Sequence, residues 1–159
     1  MQERYFPIGI QSFEQLRKYN AICVDKTALI YRLVSTGRYY FLSRPRRFGK
    51  SLLVSTLAAY FEGRKDLFDG LRIAELERDW VKYPVLHISL SLTRVSAIED
   101  LNCLLDNILA RLERVYGRGD SERSQYGLRL GDLIERANEQ TNQNVVVLID
   151  EYDAPLLDT

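Results

Sequence analysis

Residues 39–62, YYFLSRPRRFGKSLLVSTLAAYFE, decide the fold of this chain. Residues 39–43 are short and aromatic, which favours a β-strand. Pro45 and Gly49 interrupt the following segment, so it is predicted to be a loop. From Lys50 to Glu62 the apolar residues recur with helical spacing, and Gly63 follows as a stop signal. The stretch therefore predicts a strand, a loop and a helix in succession.

The predicted loop ends in Gly49-Lys50-Ser51, the last part of the phosphate-loop pattern G-x-x-x-x-G-K-[ST]. In that pattern backbone N–H groups at a helix N-terminus surround a phosphate, the lysine reaches the β- and γ-phosphates, and the serine hydroxyl ligates Mg²⁺. The first position holds Arg44 instead of glycine. On its own, Gly-Lys-Ser equally fits a helix start with a solvated lysine. The predicted nucleotide-binding residues are Arg44, Pro45, Arg46, Arg47, Phe48, Gly49, Lys50, Ser51 and Leu52.

A second predicted strand, Val145 to Ile149, is apolar throughout and ends in two acids, Asp150 and Glu151. This is the Walker B pattern. Asp150 is predicted to hold Mg²⁺ together with Ser51, and Glu151 to polarise the attacking water as general base, with Lys50 as the other catalytic residue. The alternative is an Asp-Glu turn that caps the following segment.

The remaining patterns predict helices that alternate with strands, which indicates an α/β protein with a mainly parallel sheet covered by helices on both faces. In such sheets ligands bind beyond the carboxyl ends of the strands, where the loop and the two acids both fall. The further predicted elements are helices over Ser12–Tyr19, Lys26–Val34, Ile98–Tyr116 and Leu128–Gln140, a mixed connection over Arg64–Tyr83, and a strand over Val85–Leu92.

Composition excludes several protein classes. The 159 residues are 46% hydrophobic and carry no formal net charge, so the chain is neither disordered nor broadly basic, and nothing points to nucleic acid. We find no signal peptide and no stretch that could span a membrane. The two cysteines, Cys23 and Cys103, support no disulfide framework, and we expect a cytoplasmic protein.

Other polar residues are assigned structural roles. The only histidine, His87, is expected to be partly buried and hydrogen-bonded. Glu113 is expected to share a solvated helix face with nearby arginines. Residues 25–27 fit a frame for an adenine base and simple packing equally well.

Several blocks together resemble one family of P-loop proteins, the bacterial and archaeal AAA-ATPase-like proteins. The residues that carry the resemblance are Pro7-Ile8-Gly9, Val24-Asp25-Lys26-Thr27, residues 41–52, Tyr60-Phe61-Glu62-Gly63 and Leu148-Ile149-Asp150-Glu151-Tyr152-Asp153. The block Arg-Pro-Arg-Arg-Phe-Gly-Lys-Ser shares the family's arginine at the first loop position.

This resemblance implies a P-loop NTPase fold that binds ATP and Mg²⁺ and uses a glutamate after the Walker B aspartate. It also implies a sensor strand after Glu151, and in many members a restriction-nuclease-like domain at the C-terminus. Because the chain ends at Thr159, we expect an N-terminal part of such a protein, incomplete at its C-terminus, with a helical lead-in over residues 1–37 and a partial ATPase core over residues 38–159.

Our leading hypothesis is a P-loop ATPase that binds Mg-ATP and hydrolyses it in the complete protein. The alternative is a nucleotide-dependent switch that regulates an attached effector domain without turnover. A small-molecule kinase is a third option, disfavoured because adjacent Asp150 and Glu151 suit water as the nucleophile. A homo-oligomer and an attached nuclease-like domain are the partners left open.

Overall fold

A computed structural model describes residues 5–43, 45, 48–91 and 97–152, which contain both helices and parallel strands. This confirms the α/β class. Contacts divide the chain into two compact units, Met1–Lys82 and Tyr83–Thr159. Within the described ranges no helix has the length and apolar character needed to cross a membrane. The predictions for Arg44, Arg46, Arg47 and Asp153 lie outside the described residues.

The first unit is helical in its described part, and most of its helices begin and end as the sequence predicts. The elements are α1 (Phe13–Lys18), α2 (Thr27–Thr36), α3 (Lys50–Phe61), a 3₁₀ helix (Lys65–Phe68) and α4 (Arg72–Leu76). Ser12 caps α1 by accepting a hydrogen bond from the N–H of Gln15 at 3.5 Å. The two short helices, Lys65–Phe68 and α4, occupy the predicted mixed connection.

An aromatic cluster forms the core of the first unit. Phe68 is fully buried and stacks on Phe13 with ring centroids 4.8 Å apart. Trp80, the only tryptophan, also packs on Phe68, with ring centroids 5.1 Å apart. The Phe13 N–H also donates to Ser55 Oγ on α3 at 3.0 Å. Helix α3, which follows the predicted phosphate loop, is therefore anchored to this core.

The predicted strand over residues 39–43 is wrong, because these residues have no strand conformation in the structure. A strand exists only when a neighbouring strand completes its hydrogen bonds, and aromatic residues merely favour such pairing. Instead, the Tyr40 hydroxyl donates to the carbonyl of Leu33 near the end of α2, and Tyr39 is 95% exposed. Residues 39–43 are thus attached to α2 by the side chain of Tyr40 and not by strand pairing.

The second unit contains β1 (Val85–Ser89), α5 (Ile98–Tyr116), α6 (Tyr126–Thr141) and β2 (Val146–Asp150). The two strands pair in parallel, with Val85 opposite Val146 and Ser89 opposite Asp150. Helices α5 and α6 pack on each other, and Leu86 of β1 is buried against Leu109 and Leu133.

The sheet of the second unit is less covered than the sequence predicts. It has two strands in the described residues, and β2 is exposed along one side, where Ile149 is 51% accessible. The apolar run from Val145 to Ile149 is therefore not fully buried. The predicted parallel pairing is confirmed, in a small sheet that has two strands in the described residues.

A buried ion-pair network joins α5 to α6. Arg129 is 2% exposed and donates two hydrogen bonds to the Glu113 carboxylate, at 2.8 and 3.0 Å, and one to Asp106 at 2.7 Å. The hydrogen bonds that Arg129 donates to Glu113, acting against the cost of burial, hold the pKa of Arg129 above its ordinary value. The expectation that Glu113 lies on a solvated face is wrong, because its side chain is only 10% exposed.

Candidate functional site

Helix α3 begins directly after Gly49, at the end of the predicted phosphate loop. Gly49 precedes the helix with φ 74° and ψ 25°, a left-handed conformation that favours glycine. Its carbonyl accepts the first helical hydrogen bond, from the Leu53 N–H at 3.0 Å. The first N–H groups of a helix have no partner within it, and Gly49, the N-cap residue, has no side chain to cap them. At a helix start of this kind the backbone N–H groups point towards a possible anion site.

The charges at this helix end favour an anion. Lys50 is the first helical residue, and no acidic side chain lies in the first turn. The helix dipole adds partial positive charge at the same place. Pro45 and Phe48 are exposed, so the described part of the loop is at the surface. This arrangement can bind a phosphate group.

Asp150 ends β2 and is the most buried acid of the predicted site, with 8% of its surface exposed. Its Oδ1 accepts a hydrogen bond from the Glu151 N–H at 2.9 Å, and its carbonyl accepts one from the Leu90 N–H at 3.0 Å. The backbone on both strands thus fixes this residue at the carboxyl end of the sheet.

Glu151 has an unusual backbone conformation, with φ 56°. Residues other than glycine, asparagine and aspartate rarely take this left-handed region, and strained backbone concentrates at functional positions. The conformation turns the chain directly after the strand. Consequently the carboxylates of Asp150 and Glu151 are not constrained to the simple alternation of a strand, and each can serve a different atom.

The two halves of the predicted site belong to different compact units. Pro45 and residues 48–52 lie in the first unit, and Asp150 and Glu151 lie in the second. Sequence reasoning gave no role to one neighbour of Asp150, namely Ser89, which lies opposite it in the parallel ladder. Only the strand register identifies that neighbour. His87, two residues earlier, is exposed, and no hydrogen bond of its side chain is seen in the described residues, contrary to expectation.

Asp25 and Thr27 have a structural role in the first unit. Thr27 is buried, and its hydroxyl donates to Asp25 Oδ1 at 2.7 Å and accepts from the Ile73 N–H at 3.0 Å. Asp25 Oδ1 and Oδ2 accept from the N–H groups of Thr27 and Arg72, at 2.8 and 2.6 Å. These contacts tie the start of α2 to the start of α4, which favours packing over an adenine frame.

The hydrogen bonds that Asp25 accepts from Thr27 and Arg72 lower the pKa of its carboxyl group. Burial alone would raise the pKa of its carboxyl group, but the hydrogen bonds from Thr27 and Arg72 outweigh it and keep the pKa below the ordinary value. The pKa of Glu77 is lowered in the same way. Burial would raise it, but hydrogen bonds from the Tyr60 hydroxyl and from the N–H groups of residues 78 and 79 have the larger effect.

The cavity of about 290 Å³ in the second unit does not suit a phosphate. Asp120, Asp132, Glu135 and Glu139 line it, with Arg136 as the basic residue. Asp132 is already engaged, since it accepts a hydrogen bond from Ser121 at 2.7 Å. An anion would meet an excess of negative charge there.

The chemistry of the predicted Mg²⁺ ligands fits that ion. In the described residues no group of three His, Cys, Asp or Glu side chains could hold a metal ion by itself. Mg²⁺ is commonly bound by one or two protein oxygens together with waters and substrate phosphates, so such a cluster is not required. A serine hydroxyl at Ser51 and the nearly buried Asp150 carboxylate are hard oxygen donors of that kind.

Comparison with known proteins gives a family and one similar protein. A family model described as "Predicted AAA-ATPase" matches residues 7–159. The chain is also similar to the "Uncharacterized protein in vnfD 5'region" of Azotobacter chroococcum mcd 1, with 41% identity over 160 residues. That alignment covers 99% of this chain and 31% of the relative, so the chain spans about a third of the relative's length. No solved structure matches the chain.

Proposed function

Because the chain belongs to the AAA-ATPase-like family, we propose that it binds Mg-ATP and that the complete protein hydrolyses it. In this proposal the loop over residues 44–52 holds the phosphates, and Lys50 places its ammonium group on the β- and γ-phosphates. Ser51 and Asp150 hold Mg²⁺. Glu151 accepts a proton from the attacking water as general base.

The observation that carries the proposal is the start of α3. A left-handed Gly49, which has no side chain to cap the helix, and a lysine at the first helical position occur together at one helix start. Backbone N–H groups and the helix dipole supply several donors to one phosphate, and Lys50 supplies a full charge. A solvated lysine at an ordinary helix start would not require a glycine at φ 74°.

The acids at the end of β2 support hydrolysis over simple binding. Bound Mg²⁺ would neutralise charge that develops on the phosphates. Asp150, oriented by the Glu151 N–H, presents a carboxylate suited to that ion. Glu151, turned by its φ of 56°, is then available for water.

The finer features of the family are proposals as well. We infer that the complete protein has a P-loop NTPase core that includes a sensor strand. Residues 1–37 form a helical lead-in to this core, and residues 38–159 form part of it. A homo-oligomer or an attached nuclease-like domain would be the partner of the complete protein. Cys23 and Cys103 are exposed and form no disulfide, which supports a cytoplasmic location.

Nucleotide binding is tested with Lys50→Ala. Loss of a charge-assisted hydrogen bond costs about 1.5–3 kcal/mol, so we expect ATP affinity to fall by about 10- to 100-fold in isothermal titration calorimetry. Lys65→Ala is the matched control, since Lys65 is an exposed lysine at the first residue of the 3₁₀ helix in the same unit. Unchanged ATP affinity in Lys50→Ala would refute the phosphate site.

Hydrolysis is tested with Glu151→Gln in single-turnover assays on the complete protein. Removal of a general base reduces the rate by about 10²–10⁴-fold, whereas ATP affinity should persist because the amide keeps the size of the side chain. Equal rates in Glu151→Gln and the wild type would instead favour the nucleotide-dependent switch. A phosphorylated acceptor molecule would indicate a kinase.

A further inference from the structure

Ser89 lies directly opposite Asp150 in the parallel ladder, at the carboxyl end of β1. Directly paired residues of neighbouring parallel strands project from the same face of a sheet, with the strands about 4.8 Å apart. The ladder continues past this pair, because the Leu90 N–H donates to the Asp150 carbonyl at 3.0 Å. The backbone therefore holds the Ser89 and Asp150 side chains side by side.

Both side chains have hydrogen-bonding capacity left over. The Asp150 carboxylate accepts one hydrogen bond, from the Glu151 N–H to Oδ1, and within the described ranges no donor reaches Oδ2. Ser89 is half-buried, and its hydroxyl makes no hydrogen bond to any described residue. A carboxylate oxygen can accept more than one hydrogen bond or bind a cation, so Oδ2 can receive a further donor or a cation.

We propose that Ser89 is a positioning residue for Asp150. Its hydroxyl donates to Oδ2 when the Mg²⁺ site is formed, and so fixes the plane of the carboxylate while Glu151 N–H holds the other oxygen. Partners that orient a metal-binding carboxylate in this way typically contribute about 10- to 100-fold to metal affinity. This inference rests on the proposed Mg-ATP site.

The test measures the Mg²⁺ dependence of ATP binding in the complete protein, with no turnover required. ATP affinity is determined by calorimetry in EDTA and then over a series of Mg²⁺ concentrations. In Ser89→Ala we expect unchanged affinity in EDTA and a midpoint of the Mg²⁺ dependence that is about 10-fold higher. Ser89→Thr keeps the hydroxyl and suits a strand, so its midpoint should match the wild type.

Ser91→Ala is the matched control, since Ser91 is exposed and follows the last paired residues of the strand. Its Mg²⁺ midpoint should equal that of the wild type. The inference is overturned if Ser89→Ala has the wild-type midpoint, if Ser89→Thr is impaired as much as Ser89→Ala, or if Ser89→Ala loses affinity in EDTA. A wild-type protein that binds no ATP at all would instead refute the proposed function itself.

Discussion

Truncation of Glu113 to alanine should destabilise the second unit more than truncation of Asp106, the other acid of its ion-pair network. Arg129 is 2% exposed and donates two of its hydrogen bonds to Glu113, whose side chain is itself 10% exposed. Removing one partner of a buried pair leaves an uncompensated charge and costs about 3–5 kcal/mol. Asp106, by contrast, is 36% exposed and makes one hydrogen bond, so its truncation should cost about 1 kcal/mol.

The assay is urea unfolding followed by circular dichroism at the helical minimum. Tryptophan fluorescence would not report this change directly, because Trp80 belongs to the first unit. A double variant, Arg129→Met with Glu113→Leu, serves as control. It removes the buried charge together with its partner, and we expect it to be more stable than Glu113→Ala. Equal losses of stability in Glu113→Ala and Asp106→Ala would refute the cost of an uncompensated buried charge, and so would a double variant that is the least stable of the three.

Three further predictions concern the hydrogen bonds of Thr27, the lowered pKa values of Asp25 and Glu77, and the left-handed backbone of Glu151. Thr27→Val should lower the free energy of unfolding by about 1–3 kcal/mol, because it leaves the buried Ile73 N–H without its acceptor; Trp80 fluorescence during urea unfolding measures this. Since the pKa values of Asp25 and Glu77 are lowered by folding, their contribution to stability is present above about pH 4 and should be lost as pH falls through the lower, folded-state values. Melting temperatures from pH 7 to pH 2 should therefore fall less steeply in Asp25→Asn, and an unchanged slope would contradict the assignment. Glu151→Asn should raise the melting temperature slightly while hydrolysis is lost, since asparagine tolerates positive φ; a lower melting temperature would argue against strain.

Elements whose signals are local were predictable from the sequence. The predicted helix over Ile98–Tyr116 has the observed bounds of α5, and the helix predicted from Ser12 corresponds to α1, which Ser12 caps. Each of these depends on residues within one or two helical turns. The helix predicted over Lys26–Val34 corresponds to α2, although the hydrogen bond from the Arg72 N–H to Asp25 beside its start could not be seen in the sequence.

What depends on distant partners could not be predicted. Strand formation over residues 39–43 requires a neighbouring strand, and no pattern within those residues supplies one. Glu113 and Arg129 are 16 residues apart on different helices, so only the packing of α5 on α6 reveals that they neutralise each other. Likewise, only the strand register shows that Ser89 lies opposite Asp150. The motifs of the candidate site were therefore easier to identify than the residues that support them.

The end of β2 explains how two adjacent acids could perform different tasks. If the strand continued through Glu151, its side chain would point to the opposite face from Asp150, away from any shared substrate. The left-handed backbone at Glu151 ends the strand instead, and the same residue's N–H turns back to the Asp150 carboxylate at 2.9 Å. One conformational feature thus orients the proposed metal ligand and frees the proposed base from the alternation of the strand. Any substitution that restores extended backbone at residue 151 should impair both functions together.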